Sequence, residues 1–154
     1  MTETLRVDAA LVRLSFLVQS VYAQVCADQG LTPAQAQLLC LIKDRPRGMT
    51  ELSSMLRLER PGLSGLVNRI ERRELVRRDT AEHDRRAVTL TPTPRGKEVA
   101  DGFHAEVSRR LLRIVEHLAA NDRRQLERIV GKIIFAECVP AVFGSADTAP
   151  ESAD

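Results

Sequence analysis

The sequence predicts a mainly helical protein with one small β-hairpin, an α+β fold of about one domain. Apolar residues recur every three or four positions through most of the 154-residue chain, and the period changes to two only over residues 76–91. The 44% apolar content suffices for a packed core. We find no run of about 18 apolar residues and no apolar leader, so we expect neither a membrane span nor a secretory signal.

Long helices are predicted near both ends of the chain. Apolar residues at alternating steps of four and three predict a first helix over residues 5–28. A Thr-Pro pair opens a second long helix over residues 93–118, since Thr caps and Pro fits the first turn. Asn121 or Asp122 is expected to cap a last helix, which Pro140 ends after Cys138. These three helices carry more apolar surface than a small domain buries.

The segment between the long helices predicts a helix-turn-helix. Thr32 begins a capping box, so a helix starts there, and residues 45–48 end it. A short helix over residues 51–56 follows, with Thr50 as its expected cap. Pro61 sits where the first residue of the next helix belongs. Two short helices joined by a tight turn are typical of a helix-turn-helix.

A change of period after this motif predicts a β-hairpin. Residues 76–80 and 87–91 are the two strand candidates, and the almost wholly polar residues 81–86 are expected to form the loop between them. Pro92 cannot donate to a strand ladder, so we expect the second strand to end early or to lie at an edge. A hairpin directly after a helix-turn-helix is a wing.

The charge distribution indicates a nucleic-acid partner. The net charge is only +2, and 20 of the 23 basic residues are Arg. Residues 57–78 nevertheless hold seven Arg and three Glu, a local +4, whereas residues 139–154 hold three acids and no base. We expect this acidic tail to be disordered. The absence of Trp and the 3% aromatic content argue against readers of single strands or RNA, which stack bases on aromatic rings.

The remaining composition excludes several classes of site. Three Cys without CxxC spacing predict no disulfide framework and no zinc site, and they suit a reducing cytoplasm. We find no Gly-rich phosphate loop and no nucleophile motif, so we expect neither an enzyme nor a cofactor. Cys26 lacks a neighbouring cation that would lower its pKa, Cys40 lies in an apolar run, and Cys138 precedes a Pro.

Specific motifs resemble those of the MarR family of bacterial transcription regulators. They are the block MTELSSMLRLERPGLSGLVNRIERRELVRR at residues 49–78, HDRRAV at residues 83–88, and then Thr93 and Gly96. The sequence departs from the family at Pro92, where Leu is usual, and at Glu74, where many members carry Gly. The resemblance implies a winged helix-turn-helix domain over residues 31–93 and a helical dimerisation region made of residues 5–30 and 94–138.

The resemblance implies that the helix beginning at Pro61 enters the major groove of DNA, which is about 12 Å wide. It also implies that Asp84 orients the adjacent Arg85 or Arg86 into the minor groove. The DNA-facing candidates are Ser53, Ser54, Arg60, Gly62, Ser64, Asn68, Arg69, Arg77, Asp84, Arg85 and Arg86. The alternative for each polar side chain is that it only solvates the surface.

The resemblance further implies a cytoplasmic homodimer that represses transcription from a palindromic operator of double-stranded DNA. A small effector, often aromatic or phenolic, would release it. The candidate effector-binding residues are Arg13, Phe16, Tyr22 and Cys40. Two alternatives remain open at this point: a regulator that senses oxidants through a Cys, and a winged-helix module that binds proteins instead of DNA.

Overall fold

The computed structural model describes residues 5–81 and 83–139. Within them the elements run in the order α1 (Val7–Asp28), α2 (Pro33–Ile42), β1 (Arg47–Gly48), α3 (Met49–Leu56), α4 (Arg60–Arg72), β2 (Val76–Ala81), β3 (Asp84–Pro92), α5 (Pro94–Ile114) and α6 (Ala120–Ala136). This order confirms the predicted α+β fold with a small wing. The acidic segment expected to be disordered lies, from residue 140 onward, outside the described residues.

Helix α2 begins as the sequence predicts. The Thr32 hydroxyl accepts a hydrogen bond from the Gln35 amide at 3.2 Å, and the Gln35 side chain accepts one from the Thr32 amide at 3.2 Å. This reciprocal pair is a capping box, with Pro33 in the first turn. Most of α2 is buried, and it contacts α1, α3, α4 and α5. It therefore connects the long helices to the helix-turn-helix.

The helix-turn-helix consists of α3 and α4. The turn between them passes through Arg57, which has a left-handed φ of 53°. The Leu58 amide donates to the Ser53 carbonyl at 3.1 Å, and the Ser53 hydroxyl donates to the Leu58 carbonyl. These two bonds close the turn. The buried face of α4, which packs it against the core, is made of Leu63, Leu66, Val67 and Ile70.

Two predicted helix caps are wrong. Thr50 lies inside α3, whose N-cap is Gly48, because the pairing of β1 fixes where the helix begins. Asn121 and Asp122 lie inside the first turn of α6, whose N-cap is Ala119 and carries no side-chain hydrogen bond. Asp122 still favours this end, since a carboxylate stabilises the positive end of the helix dipole.

The wing is a three-stranded antiparallel sheet in the order β1-β3-β2. The predicted loop over residues 81–86 is wrong in length, because β2 reaches Ala81 and β3 begins at Asp84. The two strands pair with each other beyond the core, so neither face there demands apolar residues. In such a ribbon both faces can be polar, so the sequence there lacks the alternation of apolar and polar residues on which the strand prediction depends.

Two further features of the sheet differ from expectation. The strand β1 was not predicted, since two residues cannot display a period; it pairs with Thr89 and Leu90. Of the two expectations for Pro92, an early end of the strand is wrong, because Pro92 is the last residue of β3 and pairs with Val76, whereas a position at a local edge is confirmed. Strand β1 does not extend that far, so Pro92 lacks a neighbour on its other side and no ladder bond is lost.

A close backbone contact joins the wing to α5. The Thr93 amide donates to the Leu75 carbonyl at 3.1 Å, and the Thr93 hydroxyl donates to the Glu74 carbonyl at 2.6 Å. The same hydroxyl accepts from the Gly96 amide at 3.0 Å and so caps α5. A Cβ at Gly96 would lie 1.7 Å from the Leu75 carbonyl oxygen. Glu74 itself has a left-handed φ of 58°, at the turn where the family often has Gly.

One continuous core unites the helices with the base of the wing. Tyr22 and Phe103 meet edge to face at its border, with ring centroids 5.8 Å apart. The core between α1, α2 and α5 is continuous with the core of the helix-turn-helix. The largest fully buried side chains are Phe103, Leu38, Leu39, Ile42, Leu52, Leu63, Ile70, Leu75, Leu90, Val25, Val67 and Val107.

One helix, α1, bears on the expectation that the chain has no membrane span. By length and composition it is long and apolar enough to cross a bilayer, with a mean hydropathy of 1.4 over its most apolar window. One such helix near a terminus is a weak indication, because core helices share these properties. The C-terminal half of α1 packs into the core through Val21, Val25 and Cys26.

The chain leaves a large apolar surface on its terminal helices. No residue of α6 is buried, and the N-terminal half of α1 is also exposed. The ends of two helices differ slightly from prediction. Helix α5 ends at Ile114 instead of Leu118, and Arg123 donates to the Val115 and Glu116 carbonyls just beyond this end. Helix α6 ends before Cys138. Exposed large apolar residues of the two helices are Val7, Leu11, Val12, Leu14, Phe16, Leu17, Leu126, Ile129, Val130, Ile133, Ile134 and Phe135.

Candidate nucleic-acid interface

Helix α4 presents an outward face that is the reverse of its buried stripe. Because its apolar residues face the core, the side chains of Arg60, Asn68 and Arg69 are exposed. Ser64 is half-buried on the same helix. Pro61 lies in the first turn of α4, and no side chain caps this exposed end of the helix. This end offers polar side chains and backbone N–H groups to a partner.

Two glycines open the outward face of α4. A Cβ on Gly65 would meet no heavy atom within 4 Å, and one on Gly62 would only touch Leu58 at 4.0 Å. The fold itself therefore does not require glycine at either position. Glycine in a helix interior costs about 1 kcal/mol relative to Ala, so such a residue without a packing reason suggests close approach by something outside the chain.

The basic side chains of the motif differ in how they are held. Arg69 makes no hydrogen bond or ion pair with any residue in the described ranges. Arg60 donates to the Thr50 hydroxyl at 3.5 Å, a weak contact on the surface. Both guanidinium groups are therefore open to an anionic partner. Ser54 is exposed on α3, whereas the hydroxyl of the other candidate there, Ser53, is engaged in closing the turn.

The side chain of Asn68 forms a hydrogen bond with a strand of the wing. Arg78 in β2 donates to the Asn68 side-chain carbonyl at 2.7 Å and forms an ion pair with Glu71 at 3.3 Å. A strand residue thus bridges two residues one turn apart on α4. Sequence reasoning missed this contact, because Asn68 and Arg78 belong to different elements and no local pattern joins them.

Arg77 lies on β2 beside Asp79. Its guanidinium pairs with that carboxylate at 3.3 Å, and the Thr91 hydroxyl of β3 donates to the same carboxylate at 2.8 Å. The hydroxyl, and then the guanidinium, lower the pKa of Asp79 below its ordinary value. Arg77 keeps 61% of its side chain exposed, so the pair leaves it accessible to a phosphate.

The remaining candidates lie at the tip of the wing. Asp84, Arg85 and Arg86 are the first three residues of β3, and Asp84 pairs with Ala81 across the hairpin. The backbone thus carries them next to the turn at His83, away from the core. Their side chains lie outside the described part of the structure, so the orienting role of Asp84 stays a prediction.

Arg73, Arg45 and Arg47 form contacts within the chain that the sequence did not predict. Arg73 donates to the Gly30 carbonyl at 2.8 Å and to the buried Gln35 side chain at 3.0 Å. Arg45 and Arg47 both pair with Glu51, at 2.5 and 2.6 Å, and lower its pKa. Part of the basic charge counted in the sequence therefore takes part in contacts within the chain. The partners of Arg73 lie 43 and 38 residues away in the chain, so no local pattern predicts its contacts.

A pocket of about 700 Å³ lies where α1, α2 and α5 meet. Phe16, Tyr22 and Cys40, three of the predicted effector-binding residues, line it together with Phe103. Arg13, the fourth, is exposed on the N-terminal half of α1 and is not among the lining residues. The pocket borders α2, which also packs against α3 and α4.

The three cysteines differ in burial. Cys26 and Cys40 are buried, Cys138 is exposed, and none of the three forms a disulfide within the described chain. Burial raises the pKa of Cys26, which keeps it in the less reactive thiol form. Among the described residues, no three His, Cys, Asp or Glu side chains cluster closely enough to hold a metal ion.

Comparison with known proteins finds similarity to one family. Residues 29–87 match the model of the MarR family. The repressor CouR, solved bound to a 23-mer DNA duplex, is 28% identical with a TM-score of 0.69, and the match covers 83% of this chain and 92% of CouR. Among curated protein sequences, none matches this chain at a significant level.

Two further solved structures share the fold. MarR from E. coli, in its apo form, has a TM-score of 0.75 at 20% identity, covering 86% of this chain and 99% of MarR. NadR in complex with 4-hydroxyphenylacetate has a TM-score of 0.66 at 20% identity, covering 86% of this chain and 95% of NadR. Together with the family match over residues 29–87, they show that the chain has the winged-helix fold of MarR proteins.

Proposed function

We propose that this chain is a dimeric repressor that reads a palindromic operator with α4 and is released by a small ligand. One observation carries the proposal: the outward face of α4 combines the open Gly65 with Arg69, which has no partner in the described ranges. A helix inserted in a major groove needs close backbone approach and side chains free to bond base edges. Ser64 and Asn68 lie on the same face and would add further contacts.

The surrounding charge supports binding to a phosphate backbone. Residues 57–78 carry a net +4, and Arg57, Arg60, Arg72 and Arg77 are exposed there. Such contacts position a protein on duplex DNA without reading its sequence, and they make the affinity fall with salt. In this proposal the wing adds a minor-groove contact through Arg85 or Arg86, with Asp84 holding the neighbouring loop.

The exposed apolar surface supports a homodimer. Helix α6 and the N-terminal half of α1 carry large apolar side chains that the single chain does not cover, among them Phe135 at 88% exposure. Contiguous surfaces of this kind mark protein interfaces. A two-fold dimer would place two copies of α4 on successive turns of one face of the DNA.

Release by a ligand is supported by the position of the pocket. It borders α2, which contacts both the long helices and the helix-turn-helix, so an occupant would alter how the two parts fit together. NadR was solved with 4-hydroxyphenylacetate and CouR with DNA, which makes both binding modes reasonable for this fold. The proposal includes no enzymatic activity and assumes a cytoplasmic protein.

The two alternatives have less support. Oxidant sensing through Cys26 or Cys40 requires an accessible thiolate, and both thiols are buried. The net +4 of residues 57–78 argues against a module that binds proteins instead of DNA. Cys138 is exposed but lies beyond α6, at the end of the described chain.

A salt titration tests the proposal. We expect the affinity for a duplex selected from a random pool to fall steeply with salt, and Arg69→Ala to weaken binding by about 1–3 kcal/mol if it reads a base. Arg113→Ala, which removes an equal charge from the exposed end of α5, is the matched control and should change little. Binding without a salt dependence, or equal losses in the two variants, would contradict the proposal.

A further inference from the structure

A hydrogen bond from β2 fixes the orientation of one side chain on the outward face of α4. The Arg78 guanidinium donates to the Asn68 side-chain carbonyl at 2.7 Å. A guanidinium group has only donors, so the carbonyl end of the amide must face Arg78. The NH2 end of Asn68 makes no hydrogen bond with a described residue, and the side chain is exposed. The fold therefore leaves the two N–H donors of this amide to a partner.

Glu71 holds Arg78 in place for this contact. The two side chains form an ion pair at 3.3 Å, and Glu71 lies one turn after Asn68 on the same helix. The side chains of Arg78 and Glu71 are 36% and 39% exposed, so the ion pair by itself adds little to the stability of the fold. Its effect is to direct the rigid guanidinium fork onto both acceptors of α4 and away from a DNA phosphate.

The neighbouring Arg77 has a different environment. Successive side chains of a strand point to opposite faces, so Arg77 and Arg78 leave β2 on different sides. Arg77 pairs with Asp79 of its own strand at 3.3 Å and forms no hydrogen bond or ion pair with a described residue of α4. The two arginines therefore carry the same charge but differ in their contact with the outward face of α4.

We propose that Arg78, held by Glu71, is a positioning residue for DNA recognition: it keeps the NH2 end of Asn68 directed outward, so that Asn68 selects bases with an acceptor in the major groove. The inference rests on the proposed function, since it assigns how one residue of α4 reads the DNA. Guanine, thymine and adenine present such acceptors, whereas cytosine presents only its amino group. Accepting from that amino group with its free end would require the Asn68 amide to turn over and lose its bond with Arg78. We therefore expect cytosine to be excluded at one position of each half-site.

Competition between duplexes that differ at one base pair of the selected site tests the inference. Asn68→Ala identifies the position that Asn68 reads, as the one at which discrimination against cytosine is lost. We expect Arg78→Ala to reduce discrimination at this position about fivefold or more, and to add no further loss there in the Asn68→Ala background. Retained discrimination in Arg78→Ala, or in Asn68→Ala at every position, would overturn the inference.

Arg77→Ala is the matched control, because it removes an equal charge from the next residue of the same strand. We expect it to weaken binding to all duplexes alike and to reduce the salt dependence, as the loss of a phosphate contact does. Its base preferences should equal those of the wild type. A loss of discrimination against cytosine as large as that in Arg78→Ala would assign the effect to charge and overturn the inference.

Glu71→Ala separates positioning from simple electrostatics. Removal of an acid from a DNA-binding surface should strengthen binding to every duplex, yet we expect discrimination at the Asn68 position to fall, because Arg78 loses its anchor. Glu74→Ala removes the same charge from an exposed side chain that forms no ion pair with a described residue, and it should keep the discrimination. Stronger binding with unchanged discrimination in Glu71→Ala would overturn the inference.

Nuclear magnetic resonance relaxation of the side-chain NH2 of Asn68 measures the contact in the full-length protein without DNA. We expect this group to be as rigid as the α4 backbone and to become mobile in Arg78→Ala but not in Arg77→Ala. A mobile NH2 group in the wild type would overturn the inference. If the group is rigid but the random pool yields no enriched sequence, the proposed function fails while the contact stands. If an inverted repeat is enriched and Arg78→Ala keeps its preference, only the inference is wrong.

Discussion

Gly96 occupies a position at which the fold leaves no room for a side chain. A Cβ there would overlap the Leu75 carbonyl oxygen at 1.7 Å, and that oxygen accepts the Thr93 amide where α5 begins. Gly96→Ala must therefore move backbone at the base of the wing. We expect a loss of about 3 kcal/mol in the free energy of unfolding, measured by urea denaturation.

Gly102→Ala is the matched control for this variant. Gly102 lies on the same helix, and a Cβ there would meet no heavy atom within 4 Å. Alanine is the better helix former, so we expect no loss and a gain of up to about 1 kcal/mol. Equal stability of the two variants would show that α5 does not pack against Leu75 as described.

Gly65 allows folding and DNA binding to be separated. Because a Cβ meets nothing there, Gly65→Ala should stabilise the free protein by up to about 1 kcal/mol, as Gly102→Ala does. If α4 enters the major groove, the same methyl group holds the helix away from the bases. We expect weaker binding of the selected duplex by gel shift in Gly65→Ala alone; unchanged binding would remove Gly65 from the interface.

Single residues could be predicted from sequence where their role is local. The caps made by Thr32 and Thr93 depend on residues three positions away, and both expectations were confirmed. Thr50 was placed wrongly because a tertiary strand pairing, not a local hydrogen bond, starts α3. The contact of Asn68 with Arg78 depends on two elements being packed together, which no spacing reveals.

At the scale of elements, a charge network fastens α1 to α5. Arg110 on α5 pairs with Asp28 at the end of α1 and with Glu106, both at 2.6 Å. Arg109 binds the same Glu106 at 2.7 Å, and hydrogen bonds from Arg109 and Arg110 lower the pKa of Glu106 to about 2. The folded state thus favours the ionised carboxylate more than the unfolded chain does.

Glu106→Gln tests this network through its pH dependence. A depressed pKa contributes stability that is present above the ordinary value of 4.5 and is lost as pH falls toward about 2. We expect the variant to unfold at lower urea concentration than wild type at neutral pH, and the gap to close across this window.

Glu98→Gln is the control for the neutralised charge. Glu98 is exposed on the same helix and forms no ion pair with a described residue. We expect it to keep a small and constant difference from wild type. A gap for Glu106→Gln that does not change between neutral pH and pH 2 would show that Glu106 is not held in these ion pairs in the folded state.

The elements themselves were predictable where they bury an apolar stripe. Helices α1, α2, α4 and α5 repeat apolar residues at helical spacing, and their order was confirmed. The wing was recognised, but its paired tip was taken for a loop, because a polar ribbon has no buried face. The strand β1 depends wholly on its pairing with β3.

At the scale of the whole molecule, the uncovered apolar surface is the main feature that sequence patterns could not explain. The stripe along α6 was visible in the sequence, yet the pattern does not say whether the same chain or another covers it. In the structure no residue of α6 is buried, and α1 is apolar enough to pass the length and hydropathy test for a membrane helix. The proposed homodimer would cover both surfaces, and in it two α4 helices would bind DNA together.

Selection of binding sites from a random duplex pool tests this central claim most directly. If two copies of α4 related by two-fold symmetry read the DNA, the enriched sequences must be inverted repeats with half-site centres about 10 base pairs apart or a multiple of that spacing. We predict this result, with two chains bound to each duplex in sedimentation measurements. Enrichment of a single unrepeated site, or of no sequence at all, would contradict it.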